Sequence, residues 1–396
     1  MGKKIIYLFH YNEATPGVVN KLQDKVLYLS QMGIDIQCVA TYYDNKPILE
    51  DKYAHLFVFK KETKLDKKIS IFENRFFAWI NIWKSNKVNA RKMVDVCNEY
   101  PADLYIRRMG WANRSQYKFV KKIKGNIVWE SNTLLESEIK VVLGGYVSFF
   151  KSEIWKTYLI YQNKKYSKKI ASISKRIICV TQQINDYHQS KSNCKTVVIA
   201  NGIDVNKYPV CSSNETSKDI NFVFLLGTNA PWHGTDLLIK AIELSVSENF
   251  KVHIIGDVVF DFSSSKIVVK KKMNFEELNT YFKSLSNVVG IGSLAMDRNN
   301  LTEGSTLKIR EYCARGMPTV LNHFDTDLSK DKDFMIKYGI DILNKKLDFD
   351  EIILRSKQIF QNLNYSQEIR KWAMDNLDQN IKMKQYKKAL DKVFEA

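Results

Sequence analysis

Short apolar runs rich in β-branched and aromatic residues recur along the chain, separated by longer amphipathic stretches. In the first half these runs are KIIYLF (4–9), IDIQCVA (34–40), LFVF (56–59), LYIR (104–107), NIVWE (126–130), RIICVT (176–181) and TVVIA (196–200). Such alternation predicts parallel strands wrapped by helices. Pro16 to Met32 predicts the first helix, with Gly33 as its stop. After Ala200 the stretch NGIDVNKYPVCSSNETSKD turns polar, with turn chemistry at Asn201-Gly202 and Pro209. A second alternation opens with INFVFLLG (220–227) and continues through VHIIGD (252–257), KIVVK (266–270), VVGIG (288–292) and TVLNH (319–323). The fold class that follows is α/β, with two Rossmann-like domains whose parallel sheets face one another. The first is expected over residues 1–204, a linker over 205–219 and the second over 220–378. Ligands of such folds bind beyond the carboxyl ends of the strands, so the gap between the two sheets is the expected binding place.

The length of 396 residues suits two domains better than one core. Charge changes the picture more. Lys and Arg number 61 against 43 Asp and Glu, a net +18, which favours anionic partners such as phosphorylated substrates or lipid headgroups. Residues 60–92 and 146–169 mix Lys and Arg with Phe, Trp, Tyr and Ile, a composition that suits helices lying on an anionic bilayer. The same mixture also describes a domain face with an aromatic core side and a solvated lysine side. No recognised nucleic-acid-binding motif accompanies the charge, so nucleic acid is not expected as a partner. Six scattered cysteines, none in a C-x-x-C pair, suggest a reducing compartment rather than zinc or disulfides. The opening MGKKIIYLFHYN has too short an apolar run for a signal peptide, and Ile6 breaks the myristoylation pattern. About 18 consecutive apolar residues occur nowhere, so a cytoplasmic protein, peripheral at most on the inner membrane face, is expected.

The richest chemistry lies in GIGSLAMDRNNLTEGSTLKIREYCARGMPTVLNH (290–323). Read physically, a strand leads into a loop carrying Glu303 and Gly304. Ser305 or Thr306 then caps a short helix that ends at Gly316 before Pro318. Ile309, Tyr312 and Cys313 fall on its inner stripe, with Lys308, Glu311 and Arg315 on the opposite one. Its unpaired N–H groups, flanked by Gly304 and Ser305, form an anion site to which Lys308 adds a point charge. Glu303 and Glu311 bracket that site and can accept hydrogen bonds from sugar and ribose hydroxyls. The plainer reading is a surface ion pair between Lys308 and Glu311, with Glu303 as a dipole partner.

Glu303 to Glu311 resembles the E-x7-E motif of family 4 glycosyltransferases of bacterial polysaccharide type, together with the helix end Ala314–Gly316 and the Pro-Thr-Val strand after it. VVIANGID (197–204) resembles that family's interdomain segment, LLGTNAPWHGTDLLIKAIE (225–243) its diphosphate strand-loop-helix, and the helices around Trp372 its tail. The resemblance covers the second half closely and the first half loosely. It implies the GT-B fold, with a C-terminal helix at about 379–396 crossing back to the first domain. It also implies a retaining, metal-independent hexosyltransferase. Such an enzyme moves a sugar from a nucleotide-sugar donor to a glycan or lipid-linked glycan acceptor, in cell-surface polysaccharide synthesis, with no cofactor. Carried over by position, Glu303 contacts the sugar, and Glu311 contacts the ribose. Lys308 and His233 face the phosphates with the amides of Gly304, Ser305, Thr306 and Leu307, while Gly227 and Trp232 complete the donor side. Arg108, Glu130, Asn132 and Gly17 fall on the acceptor side.

Two departures stand out. His233 occupies a place where many relatives carry Lys, and Pro16-Gly17 stands in for a Gly-Gly loop. Asp325-Thr326-Asp327 resembles a metal-binding D-x-D of another glycosyltransferase fold, but its late position argues against that use. The rival readings are a GT-B sugar-nucleotide epimerase and a non-catalytic peripheral membrane module.

Overall fold

The computed structural model describes residues 3–11, 16–42, 47, 49–62, 78–137, 149–211, 219–228, 230–256, 264–328, 332–337 and 347–395. The chain forms two compact units. One comprises Met1–Ile199 with Met383–Ala396, the other Ala200–Lys382. The first contains a seven-stranded sheet built from β1 (Ile5–His10), β2 (Ile36–Tyr42), β3 (Phe57–Lys61), β4 (Leu104–Arg108), β5 (Asn126–Ser131), β6 (Arg176–Cys179) and β7 (Thr196–Val198). Its order is β3-β2-β1-β4-β5-β6-β7, and each neighbouring pair is parallel, Ile5 lying opposite both Ile36 and Leu104. The second contains β8 (Ile220–Leu225), β9 (Phe250–Ile255), β10 (Ile267–Lys270), β11 (Val288–Ile291), β13 (Thr319–Leu321) and β15 (Met335–Lys337), in the order β10-β9-β8-β11-β13-β15 and also parallel. A separate two-residue ladder joins β12 (Glu303–Gly304) to β14 (Phe324–Asp325).

Every strand expected from the apolar runs is present within two residues of its expected limits. Parallel strands are covered on both faces, so they need apolar residues at consecutive positions. In β1, Ile5 and Tyr7 enter one core while Ile6 and Leu8 enter the other. The first helix spans Pro16–Gln31, and Gly33 ends it in the left-handed region at φ 80°. Gly17 therefore lies in the first turn of a helix and is exposed. All six cysteines are buried and unpaired. No helix among the described residues is long and apolar enough to cross a membrane. Of the two basic and aromatic stretches, residues 63–77 and 146–148 lie outside the described residues, as does 212–218 of the expected linker.

The last helix, Gln379–Phe394, begins in the second unit, and from Met383 onward its residues belong to the first. Met383, Tyr386, Ala389, Leu390 and Val393 recur at helical spacing and enter the core that holds Ile5 and Tyr7. Its anchor is polar. Glu130, near the end of β5, is 4% exposed and pairs with Lys25 from the first helix. It also accepts hydrogen bonds from the Tyr7 hydroxyl at 2.6 Å and the Tyr386 hydroxyl at 2.5 Å. The Lys25 ammonium lies 4.6 Å above the Tyr386 ring. This carboxylate, expected on the acceptor side, is committed to holding three elements of its own unit together.

Burial by itself would raise the Glu130 carboxyl, but Lys25, Lys21 and the Tyr386 hydroxyl outweigh it and hold the group at about 2. The native value lies below the unfolded one. Its stabilising contribution is therefore complete above the ordinary glutamate range and is lost as pH falls toward 2. Glu130→Ala leaves Lys25 buried without its partner and should cost about 3–5 kcal/mol in denaturant unfolding. A Lys25→Met/Glu130→Ala double variant should recover part of that loss.

Candidate functional site

The segment from β11 to β13 holds most of the expected donor residues. Its helix runs Leu307–Ala314, with Ile309, Tyr312 and Cys313 fully buried as the spacing predicts. The Leu225 N–H donates to the Tyr312 hydroxyl at 3.0 Å, and that hydroxyl donates to the Ile291 carbonyl at 3.3 Å. One side chain thus ties the helix to the carboxyl ends of β8 and β11. Thr306 is the N-cap, and its side chain makes no capping hydrogen bond. Ser305 does not cap either, because its hydroxyl accepts the Asn201 N–H at 2.8 Å and its carbonyl accepts from the Asn201 side chain. The helix therefore begins with amides that no side chain caps, the arrangement that suits an anion.

Lys308 sits in the first turn of this helix. Its ammonium is 4.8 Å above the Phe224 ring and 3.4 Å from His233 Nδ1. Burial lowers its proton affinity to about 7. His233 follows β8 in a short 3-10 turn, Pro231–His233, and its Nδ1 also lies 3.2 Å from the Ser293 hydroxyl. Burial, reinforced by the charge of Lys308, lowers the imidazole to about 3, so the ring is neutral. In its charged form Lys308 can only donate, so that state of the amine favours the tautomer in which Nδ1 accepts and Nε2 carries the proton.

The turn is held by backbone and by charge. The Leu294 N–H donates to the His233 carbonyl at 3.0 Å, and the Ala295 N–H donates to the Trp232 carbonyl at 3.2 Å. Arg298 forks onto Asp236 with two 2.7 Å bonds and donates to the Pro231 carbonyl at 3.0 Å. Gly234 adopts φ 72°, and a Cβ there would meet Leu294 and Ala295 at 3.0 and 3.2 Å, so glycine is required. Gly227 is exposed just past β8, with open space around its Cα.

Glu311 and Lys308 do not pair. Glu311 Oε1 instead accepts from Arg315 Nε at 3.1 Å and Nη2 at 2.9 Å. Arg315, expected on an outer stripe, is fully buried. Its guanidinium lies 4.4 Å from the Phe282 ring centre and 5.1 Å from that of Tyr208, and it donates to Asn279 at 2.7 Å. The aromatic rings and the asparagine draw it inward. Burial raises the Glu311 carboxyl and Arg315 partly offsets this. Glu303, expected in a loop, belongs to β12 opposite Phe324, and it is partly buried.

Asp325 and Asp327 are engaged by cations of the protein. Arg310, fully buried, pairs with both, and Lys382 pairs with Asp327. Arg310 Nε also donates to the Asn201 carbonyl at 3.1 Å. The sequence alone gives Arg310, Ser293 and Phe224 no role in the site, and it marks Asn201 only as a turn residue. Only the Glu311–Arg315 spacing of four carried a local signal. On the first unit, Arg108 is exposed at the end of β4, and Asn132, just past β5, has a buried Oδ1 without a hydrogen-bond partner. A cavity of 790 Å³ between β15 and the helices Phe349–Phe360 and Tyr365–Asn376, lined by Phe334, Tyr365 and Trp372, shares no residue with the Lys308 cluster.

A lysine with a native value near 7 and an ordinary unfolded value destabilises the fold most at and below pH 7, and the penalty fades as pH rises toward 10. Lys308→Met should therefore raise stability by on the order of 2 kcal/mol at pH 7. The gain should shrink steadily in denaturant melts at pH 8, 9 and 10. A destabilised variant would show that the amine serves the fold rather than a ligand.

No family model and no curated protein matches the sequence. Solved structures do match in shape. A sucrose-phosphate synthase from Thermosynechococcus elongatus superposes with a TM-score of 0.65 at 11% identity, covering 99% of this chain and 100% of that one. A glycosyltransferase from Rickettsia africae gives 0.63 at 12% identity, covering 100% and 99%. HepE of Anabaena, in complex with UDP-glucose, gives 0.60 at 10% identity, covering 98% and 100%. Two parallel-sheet α/β units with a returning C-terminal helix, together with these likenesses, establish that the chain has the GT-B fold.

Proposed function

We propose that this protein is a retaining glycosyltransferase of the hexosyltransferase class, with a nucleotide-sugar donor and a glycan or lipid-linked glycan acceptor in cell-surface polysaccharide synthesis. The observation that carries the reading is the uncapped helix start at Thr306–Leu307 with the half-buried, desolvated Lys308 amine beside it. A cation held at a cost to the fold, next to unpaired amides, suits a pyrophosphate that arrives with the substrate. The UDP-glucose in the Anabaena relative is in keeping with this.

In this reading the diphosphate lies against Gly227 and the amides from Gly304 to Leu307, with Lys308 and the His233 Nε2–H as further donors and Trp232 flanking them. Glu311, oriented by Arg315, receives the ribose, and Glu303 receives the sugar. The C1–oxygen bond breaks with its electron pair going to the diphosphate. The acceptor oxygen attacks C1 on the same face, and its proton passes to a departing phosphate oxygen. Fixed donors aimed at the leaving group supply the stabilisation. Lys308 provides the positive charge of this step, and the proposal calls for no divalent metal. Arg108, Asn132 and Gly17 are proposed for the acceptor side. Tyr158 and Tyr161, 44% and 54% exposed, stand beside the exposed Lys164, Lys165, Lys168 and Lys169 on one helix, which supports contact with an anionic membrane from the cytoplasmic side.

A thermal-shift panel of UDP, GDP, ADP, UDP-glucose, UDP-galactose, UDP-N-acetylglucosamine and GDP-mannose tests the donor site. At least one diphosphate and its sugar should raise the melting temperature, and EDTA should leave the shift unchanged. With that donor, Glu311→Ala should weaken binding about 10–100-fold, because it removes a charged hydrogen-bond acceptor. Glu303→Ala and Lys308→Ala should chiefly lower turnover. No shift with any nucleotide would overturn the reading.

A further inference from the structure

His323 lies between β13 and β14, at the carboxyl end of the second sheet. It is 7% exposed, yet neither ring nitrogen has a partner in hydrogen-bond geometry. The chain pairs a comparable buried histidine fully. His253, 5% exposed, meets the Tyr281 hydroxyl at 2.7 Å and Asn221 Oδ1 at 2.9 Å. Native interiors retain few unsatisfied polar groups, and each one needs a reason. Burial lowers the proton affinity of His323, Asp325 and the nearby Ser293 backbone oppose this, and Arg310 and Lys308 reinforce it. The ring is thus neutral, with one nitrogen donating and the other accepting.

Its place relative to the candidate site is fixed by Gly304. A Cβ on Gly304 would stand 2.8 Å from His323 Cδ2, 3.0 Å from Nε2 and 3.2 Å from the Met296 methyl. The imidazole edge therefore lies against the backbone that joins Glu303 to the uncapped helix, and glycine is needed because the ring fills that space. The β12–β14 ladder fixes this approach, with Glu303 opposite Phe324 and Gly304 opposite Asp325. Thr306 Oγ1, on the other side of Ser305, is likewise buried and without a partner. Two unsatisfied polar side chains thus flank the same turn.

We propose that His323 is a donor-specificity residue whose ring hydrogen-bonds a hydroxyl of the transferred sugar beside Glu303. This rests on the nucleotide-sugar reading above and extends it to a residue outside the E-x7-E segment. A hydroxyl both donates and accepts, which matches a neutral imidazole, whereas a phosphate oxygen only accepts. The ligand class is the hexose part of a nucleoside diphosphate sugar, not the diphosphate.

The test is calorimetric titration of wild type, His323→Leu and His323→Gln with the diphosphate and the sugar nucleotide that most stabilise the wild type in the panel. His323→Leu should bind the free diphosphate within about twofold of wild type and lose about tenfold for the sugar nucleotide, one good hydrogen bond's worth. Its melting temperature without ligand should hold or rise, because an unsatisfied group has gone. His323→Gln should recover part of the lost discrimination. An unchanged ratio of the two affinities, in whichever variant folds, would overturn the inference and mark His323 as a core residue bonded to enclosed water. Equal losses for both ligands would also overturn it, placing the contact on the diphosphate. Wild type that binds no nucleotide would sink the functional reading itself, a result separate from either of these.

Discussion

Lys308 carries its amine into a space walled by Phe224 and His233, where desolvation removes most of its preference for charge. Folding alone gives no reason to place a lysine there, since a methionine of similar length would pack without the penalty. The neighbours follow from that choice. His233 is neutral because burial and the adjacent ammonium both oppose a second charge. With the amine charged, Nδ1 accepts and Nε2 is left as a donor. Phe224 offers its ring face, which favours the cation without neutralising it. The start of the helix is uncapped by side chains, which leaves the amides next to the amine unspent.

The contrast with the other buried charges separates what serves the fold from what serves a ligand. Glu130 has Lys25, Tyr7 and Tyr386. Arg310 has Asp325, Asp327 and the Asn201 carbonyl. Arg315 has Glu311, Asn279 and two aromatic rings. Each of these networks pairs its charge with an opposite charge from within the chain, as buried ions require, although Nη1 of Arg315 has no hydrogen-bond partner. Lys308, His323 and Thr306 do not fit that pattern; Thr306 and Lys308 lie within residues 303–308, and His323 packs against Gly304. The Arg310 network ties Asn201, at the start of the second unit, to the β12–β14 turn, so the segment bearing Glu303 is anchored from below while its polar groups stay unspent.

The apolar runs alone determined the alternation of strands and helices, because a parallel strand buried on both faces must be apolar at consecutive positions whatever its neighbours are. They also determined the inner stripe of the Leu307–Ala314 helix, since Ile309, Tyr312 and Cys313 repeat at the helical period. The pairing of Lys308 with His233 was not legible in this way. It joins residues 75 positions apart, and no local period encodes such a distance. Tertiary structure likewise decided that Arg315 is buried, that Ser305 binds Asn201 instead of capping its helix, and that Glu130 holds the C-terminal helix. Each outcome turns on which partner a polar atom meets once the chain has folded. The sequence specifies hydrophobic period, turn chemistry and residue type, while the satisfaction of buried polar groups is a property of three-dimensional neighbours.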